Sequence, residues 1–413
     1  MFKGISKLYN KKFTTEILFY IITNFIQKIS PFVILNLAAL KLSSEDIGEY
    51  SYVILIVSLV QPFLTLELNR NVEYFFFKKG VVKDRMFSSI LTFLLLILIF
   101  TSLFSYFFNI HYKFIGNSLF NSLPLYIIAI MIYEITLTVF RNINDKVRFF
   151  IFNIGHSIVY LLGFLFLLNT NYIEKSWKII FIPLYLSTVL FGVLSLFYLF
   201  KNYNLKLELK NLRTYFLFSS PFILFVFSGF ISNNIDKYFT EKYIGMDSLG
   251  VLAITLSYCS FIKFFSNAFM KAYTPMYFQS IDKSKVKLKQ FQNLYFLGII
   301  FLTIISIVIL IILFTLFLPE RYKPGVVLIP IISIGYMIRA FKQLFIPFVM
   351  KSEKTIYITL EVFVTVLVGS FSTMFLVKNY GLIGAALALV VMQTTSFLYF
   401  YIIKKFILIK KIQ

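Results

Sequence analysis

The sequence predicts an all-α, polytopic membrane protein of about twelve transmembrane helices in two six-helix bundles, and three observations carry that prediction. Of 413 residues, 59% are hydrophobic and only 14% charged, well short of the roughly one quarter of charged residues that coats a soluble domain. The apolar residues come in blocks of about 20, the helix length that crosses a hydrocarbon layer of about 30 Å. Short polar tracts separate the blocks, with no Gly/Ser-rich linker and no stretch of water-soluble composition.

Taken in order, the spans are expected near 15–40, 47–66, 87–108, 119–140, 150–169, 179–200, 215–235, 249–270, 294–318, 325–349, 356–377 and 381–403. The opening tract MFKGISKLYNKKFTTE is basic and enters the first apolar run without a small-residue cleavage site. It therefore reads as a retained first span rather than a signal peptide. The longest connections, near 67–86 and 271–293, are too short for a catalytic domain.

A net charge of +22 raises the question of nucleic acid. The Lys and Arg residues lie in short tracts between apolar blocks and form no separate basic domain, so nucleic acid is not an expected partner. The partner is the membrane. Cys259 is the single cysteine, and His111 and His156 are the two histidines, with no acidic or cysteine cluster beside them. Neither a metal site nor a cofactor is expected.

Orientation follows from the cations. With the N-terminus inside, the tails and the loops on that side hold 27 Lys and Arg, and the opposite loops hold 9. That asymmetry predicts cytoplasmic N- and C-termini, in agreement with an even number of spans. Residues 43–58, SSEDIGEYSYVILIVS, resemble 245–260, GMDSLGVLAITLSYCS, at an offset of 202. The expected halves are 1–202 and 203–413, parallel repeats about an axis along the membrane normal. Seven prolines within expected spans (Pro31, Pro62, Pro124, Pro183, Pro221, Pro330 and Pro347) favour a protein that bends or rocks.

Ionisable residues within spans carry the functional signal, because each costs about 2.5–3.5 kcal/mol near the bilayer centre unless paired or wet. Lys28 lies near mid-depth of the first span with Asn24 one turn before it. Lys263 lies near mid-depth of the eighth, in a row of Thr255, Cys259, Lys263 and Asn267 spaced by four. Arg339, Lys342 and Gln343 share one face of the tenth by i, i+3, i+4 spacing. The acids available to them are Glu134, Glu361 and Asp236, candidate counter-ions or proton carriers. Lys342 and Glu361 lie close enough to the cytoplasmic face for a structural role. The excess of cations suits a wet cavity that accepts an anion such as a phosphate or diphosphate. The 53 Phe and 27 Tyr are too abundant to mark a sugar-stacking platform.

Four segments resemble a known family. LSSEDIGEYSYVILIVSLVQPFLTLELNR (42–70), NIDKYFTEKYIGMDSLGVLAITLSY (234–258), RYKPGVVLIPIISIGYMIRA (321–340) and NYGLIGAALALVVMQ (379–393) are similar, in order and spacing, to Wzx-type polysaccharide flippases. These belong to the MOP exporter superfamily, which also holds the MATE transporters. In the last segment Gly381, Gly384, Ala385 and Ala388 allow close helix approach. The resemblance implies a V-shaped pair of six-helix bundles in the bacterial inner membrane, working by alternating access rather than as an enzyme. The implied cargo is an undecaprenyl-diphosphate-linked oligosaccharide such as an O-antigen or capsule repeat, with polysaccharide polymerase machinery as a partner. Lys28, Lys263, Arg339, Asn24 and Asn267 would bind it. MATE transporters commonly carry an acid within the first span, and here Glu16 sits only at its edge.

Two other readings stand beside this one. A MATE-like small-molecule exporter shares the fold. A polysaccharide polymerase or glycosyltransferase would use a catalytic acid outside the first span, where Glu45 and Asp46 lie; Ser43-Ser44-Glu45-Asp46 reads better as a helix N-cap.

Overall fold

The computed structural model describes residues 11–78, 80–112, 117–170, 175–280, 285–351 and 356–409. In chain order the helices are α1 (Lys11–Lys41), α2 (Ser44–Thr65), the short α3 (Asn69–Phe75), α4 (Lys83–Tyr112), α5 (Asn117–Asn142), α6 (Lys146–Asn169) and α7 (Lys178–Asn202). They continue as α8 (Leu212–Tyr243), α9 (Met246–Ser280), α10 (Lys285–Phe317), a 3-10 helix (Glu320–Val327), α11 (Leu328–Gln343), α12 (Ile346–Lys351) and α13 (Ile356–Ile409). No strand occurs among the described residues.

Nine helical segments among the described residues are long and apolar enough to cross a membrane. One of them is two spans in series. α13 reverses at Gly381, whose backbone (φ 59, ψ −136) leaves the helical region, a conformation open to glycine because no Cβ clashes. The reversal brings Gly384 against the carbonyl of Leu376, where a Cβ would lie 1.9 Å from the oxygen. α1 and α8, of 31 and 32 residues, also exceed a bilayer's thickness at about 1.5 Å per residue. With these, the described helices give the expected twelve.

The start of α2 shows how sequence sets a helix end. Ser43 and Asp46 form a reciprocal cap, the Asp46 N–H donating to Ser43 Oγ at 3.1 Å and the Ser43 N–H to Asp46 Oδ2 at 3.1 Å. Two donors that a helix start leaves unpaired are thereby satisfied, and Asp46 has a structural occupation. Pro31, Pro62, Pro124 and Pro183 lie inside helices. Pro330 and Pro347 sit instead in the first turns of α11 and α12, where the missing N–H has no partner to lose. The expected tenth span, 325–349, is thus three pieces: the end of the 3-10 helix, α11 and α12.

The chain packs as two compact units. The first comprises Met1–Ile34 with Ile56–Val226, and the second Leu35–Leu55 with Phe227–Gln413. In the first, Phe87, Ile90 and Leu94 of α4 meet Ile128, Ile132 and Ile135 of α5 in the main apolar core. In the second, α11 lies against the later arm of α13, with Gly335 receiving Leu389. Large apolar side chains are also widely exposed, among them Leu297, Phe301 and Leu316 of α10, which suits a surface solvated by lipid.

Candidate functional site

The cations expected from sequence converge only in part, and where they do they line a cavity. α8 runs eight residues beyond the expected span end at 235, so Asp236 and Lys237 lie on the same helix as Asn233. Their i, i+3, i+4 spacing gathers them on one face. Lys263 enters from α9, Tyr336 and Arg339 from α11, and Gln393 from α13. Together they line a cavity of about 370 Å³ inside the second unit, with the end of α1 and the start of α2 as the opposite wall.

Its charge balance is lopsided. The charged lining residues are Lys237, Lys263, Arg339 and Asp236, three cations to one acid. Asp236 is 9% exposed and lies within electrostatic reach of both Lys237 and Lys263. Arg339 donates through Nη1 to Asn233 Oδ1 at 3.2 Å. Gln393 is 6% exposed, and its Oε1 accepts from no group among the described residues. The wall therefore offers cationic donors beside an unused amide acceptor, a combination able to hold an anion that also carries hydroxyl groups. Cations held this deep need water or a counter-charge, since desolvation alone costs several kcal/mol per ion.

The other expected residues go elsewhere. The α9 row splits along its length. Thr255 and Cys259 are fully buried, Cys259 packing on Ser333 and the Ile329 carbonyl of α11 at 3.8 Å. Lys263 opens to the cavity, and Asn267 accepts from Gln343 at 2.8 Å. Lys342 leaves the Arg339 face to pair with Glu361 at 3.3 Å. Glu361 also accepts through the same Oε1 from Thr365 at 3.1 Å and from the Ser396 hydroxyl, so that oxygen is occupied by structure.

Glu134 belongs to the first unit, on α5, where Asn69 donates to it at 3.4 Å and Glu67, Arg70 and Glu73 lie within electrostatic reach. Asn24 and Lys28 lie on α1, with side chains outside the described residues. His156 is half-buried, its ring stacked on Tyr133 at 5.2 Å and paired with Thr188 at 3.1 Å, a packing role. Sequence reading passed over Lys237, Asn233 and Gln393. The polar character of the α8 end was visible, but not that the helix continues through it.

No protein-family model matches the chain. The capsular polysaccharide biosynthesis protein CapF of Staphylococcus aureus is 23% identical over 403 residues, covering 92% of this chain and 97% of that protein. Among solved structures, the lipid II flippase MurJ in its inward closed conformation superposes with a TM-score of 0.73 at 17% identity. The match covers 94% of this chain and 87% of that one. The two chains share one fold. An inward-facing multidrug resistance transporter of the MATE family, described as a member of the MOP superfamily, superposes at 0.60 and 12% identity over 93% and 94% of the two chains. By name, those two proteins are a flippase and a transporter. The shared fold leaves the cargo to the side chains.

Proposed function

We propose that this chain is a flippase for undecaprenyl-diphosphate-linked oligosaccharide repeat units, carrying them from the cytoplasmic to the outer leaflet of the bacterial inner membrane by alternating access. The observation that supports it most is the cavity in which Lys237, Lys263 and Arg339 face a single acid. A diphosphate brings at least two negative charges, matching a wall of net charge +2. Charge-assisted hydrogen bonds of about 1.5–3 kcal/mol each offset the headgroup's loss of water. Arg339 is suited to a phosphate's paired oxygens, and the lysines act as point charges. Gln393 and Asn233 are the polar amides of the wall available to a sugar, whereas Asn267 is engaged by Gln343.

The capsule-related name of the sequence relative and the lipid-flipping name of MurJ agree with this reading. In it, residues 1–202 and 203–413 are the two moving bundles, both termini are cytoplasmic, Lys28 and Asn24 add to the headgroup site, and Glu134 is the candidate proton carrier. The polysaccharide polymerase machinery consumes what is delivered. A MATE-like exporter of small molecules is the second reading, favoured by the second structural likeness. Surplus cations in the cavity disfavour organic cations as its cargo.

Proteoliposomes holding the purified protein and a short-chain polyprenyl-diphosphate oligosaccharide provide the test. Wild type should move the lipid between leaflets. Lys263→Ala and Arg339→Ala, inserted and folded as wild type, should lose most of that movement, and Lys28→Ala likewise. Variants that match wild type would remove the site assignment. Wild type that moves no such lipid yet exports a cationic dye would replace the flippase with the drug exporter.

A further inference from the structure

The cavity of the second unit holds its one acid among three cations, and the helices aim them at one another. α8 and α9 form an antiparallel pair joined by the turn at Ile244 and Gly245. Side chains lean toward the N-terminus of their own helix, so those of α8 lean away from the turn and those of α9 toward it. Lys237 lies six residues before the end of α8, about 9 Å from the turn, and Lys263 seventeen residues into α9, about 25 Å from it. The opposed leans close that offset. Asp236 is thereby within electrostatic reach of both lysines, and Arg339 bonds Asn233 one turn away on the same face of α8.

Asp236 is a fixture of this wall: its Oδ1 accepts from the Lys237 N–H at 2.9 Å, and the residue is buried. Its charge cuts both ways. Three buried cations need a counter-charge when no cargo is bound, and Asp236 is the one acid in the lining to supply it. The same carboxylate repels an incoming diphosphate. With Asp236 the wall carries +2, three cations less one acid, which two phosphate charges bring to zero. Without it one cation would be left over beside a bound diphosphate, so the anion would be held more tightly and let go more slowly. A transport site needs binding strong enough to load and weak enough to leave.

We infer that Asp236 is a built-in competitor for the cargo's diphosphate, taking up the field of Lys237 and Lys263 when no cargo is bound and speeding release when cargo is. This role rests on the anionic cargo proposed above. It has a signature of its own. Neutralising Asp236 strengthens binding and slows the cycle, whereas neutralising a cation of the wall weakens both.

Equilibrium binding of radiolabelled inorganic pyrophosphate to the detergent-purified chain tests it, beside movement of the polyprenyl-diphosphate oligosaccharide in proteoliposomes. The variants are purified in pyrophosphate, which supplies the missing charge, and dialysed before use. Asp236→Asn should bind pyrophosphate about tenfold more tightly than wild type yet move the lipid several-fold more slowly. Without pyrophosphate it should unfold at a lower temperature than wild type, and saturating pyrophosphate should close the gap. Asp236→Glu, which keeps the charge, should bind no more tightly than wild type. If wild type moves the lipid but Asp236→Asn holds pyrophosphate no more tightly, the role of Asp236 is overturned and the flippase stands. Tight binding by Asp236→Asn with an unchanged rate of movement, or tighter binding by Asp236→Glu, would overturn it equally. Wild type that neither binds pyrophosphate nor moves the lipid would overturn the anionic cargo, and this role with it.

Discussion

Ser44 donates its hydroxyl to the Asp247 carboxylate at 2.6 Å, joining the first turns of α2 and α9, which carry the two copies of the repeated sequence. Beside that bond the backbones touch. A Cβ on Gly48 would lie 2.0 Å from the Met246 carbonyl oxygen, and one on Gly250 would lie 1.9 Å from that of Ser44. Gly48 and Gly250 are equivalent in the repeat, as are Ser44 and Met246, so each glycine meets the counterpart of its own neighbour four residues back. The repeat is more than a residue of duplication: its glycine is what allows the two copies to pack. Arg321 reinforces the same corner, donating to the carbonyls of Ala39 and Leu42 at 2.8 and 2.6 Å.

Substituting Gly48 should open this contact. A Cβ at such a distance from a backbone oxygen cannot escape by rotating, so the helices must part, with overpacking costs of about 1–3 kcal/mol. In a Cys259→Ala background, Ser44→Cys/Asp247→Cys should crosslink readily under mild oxidant. Adding Gly48→Val should cut the yield several-fold. An unchanged yield would mean that the contact is not maintained in the membrane.

The pair Lys342–Glu361 yields a separate prediction. Glu361 is 5% exposed and occupied by Lys342, Thr365 and Ser396. Glu361→Ala or Lys342→Met alone leaves a buried charge unmatched, which costs about 3–5 kcal/mol. Lys342→Met/Glu361→Leu removes both charges and should unfold near the wild-type temperature while retaining transport. If the double variant is stable but inactive, Lys342 contacts cargo and its pairing in this structure is only one of its states.

Much of the fold was legible because a bilayer leaves few choices. Blocks of about 20 apolar residues fall on helices, although the expected tenth span is broken into three pieces and the seventh runs on to Tyr243. What hydropathy reports, though, is hydrocarbon thickness rather than helix length. It therefore ended the seventh span at 235, whereas α8 continues to Tyr243 and carries Asp236 and Lys237 into the cavity wall. Lys263 and Arg339 stood out because charge is conspicuous in an apolar run. The split of Arg339, Lys342 and Gln343 among Asn233, Glu361 and Asn267 could not be read, since an i, i+3, i+4 face says which residues are neighbours and not which helix faces each. Nor does composition indicate that the end of α1 and the start of α2 pack with the later half of the chain.

The turn from α2 to α3 makes the chain's stability depend on pH. Leu66 and Glu67 both take φ near 50°, a left-handed pair that costs about 1–2 kcal/mol per residue and carries Glu67 inward, where it is 8% exposed. Burial pushes the Glu67 carboxyl above its ordinary value of 4.5, Glu73 pushes it further, and Arg70, 3.6 Å away, opposes both. The folded chain therefore holds this proton more tightly than the unfolded chain does. Stability from Glu67 is fully present below the unfolded value and declines as pH rises from there through the folded one, after which the loss is constant. Glu67→Gln keeps the shape and removes the titration. Thermal unfolding in detergent from pH 4 upward should fall less steeply for the variant, and at neutral pH the variant should be the more stable of the two. A variant less stable than wild type at neutral pH would mean that the attraction of Arg70 outweighs the cost of burying the charge, reversing the sign argued here.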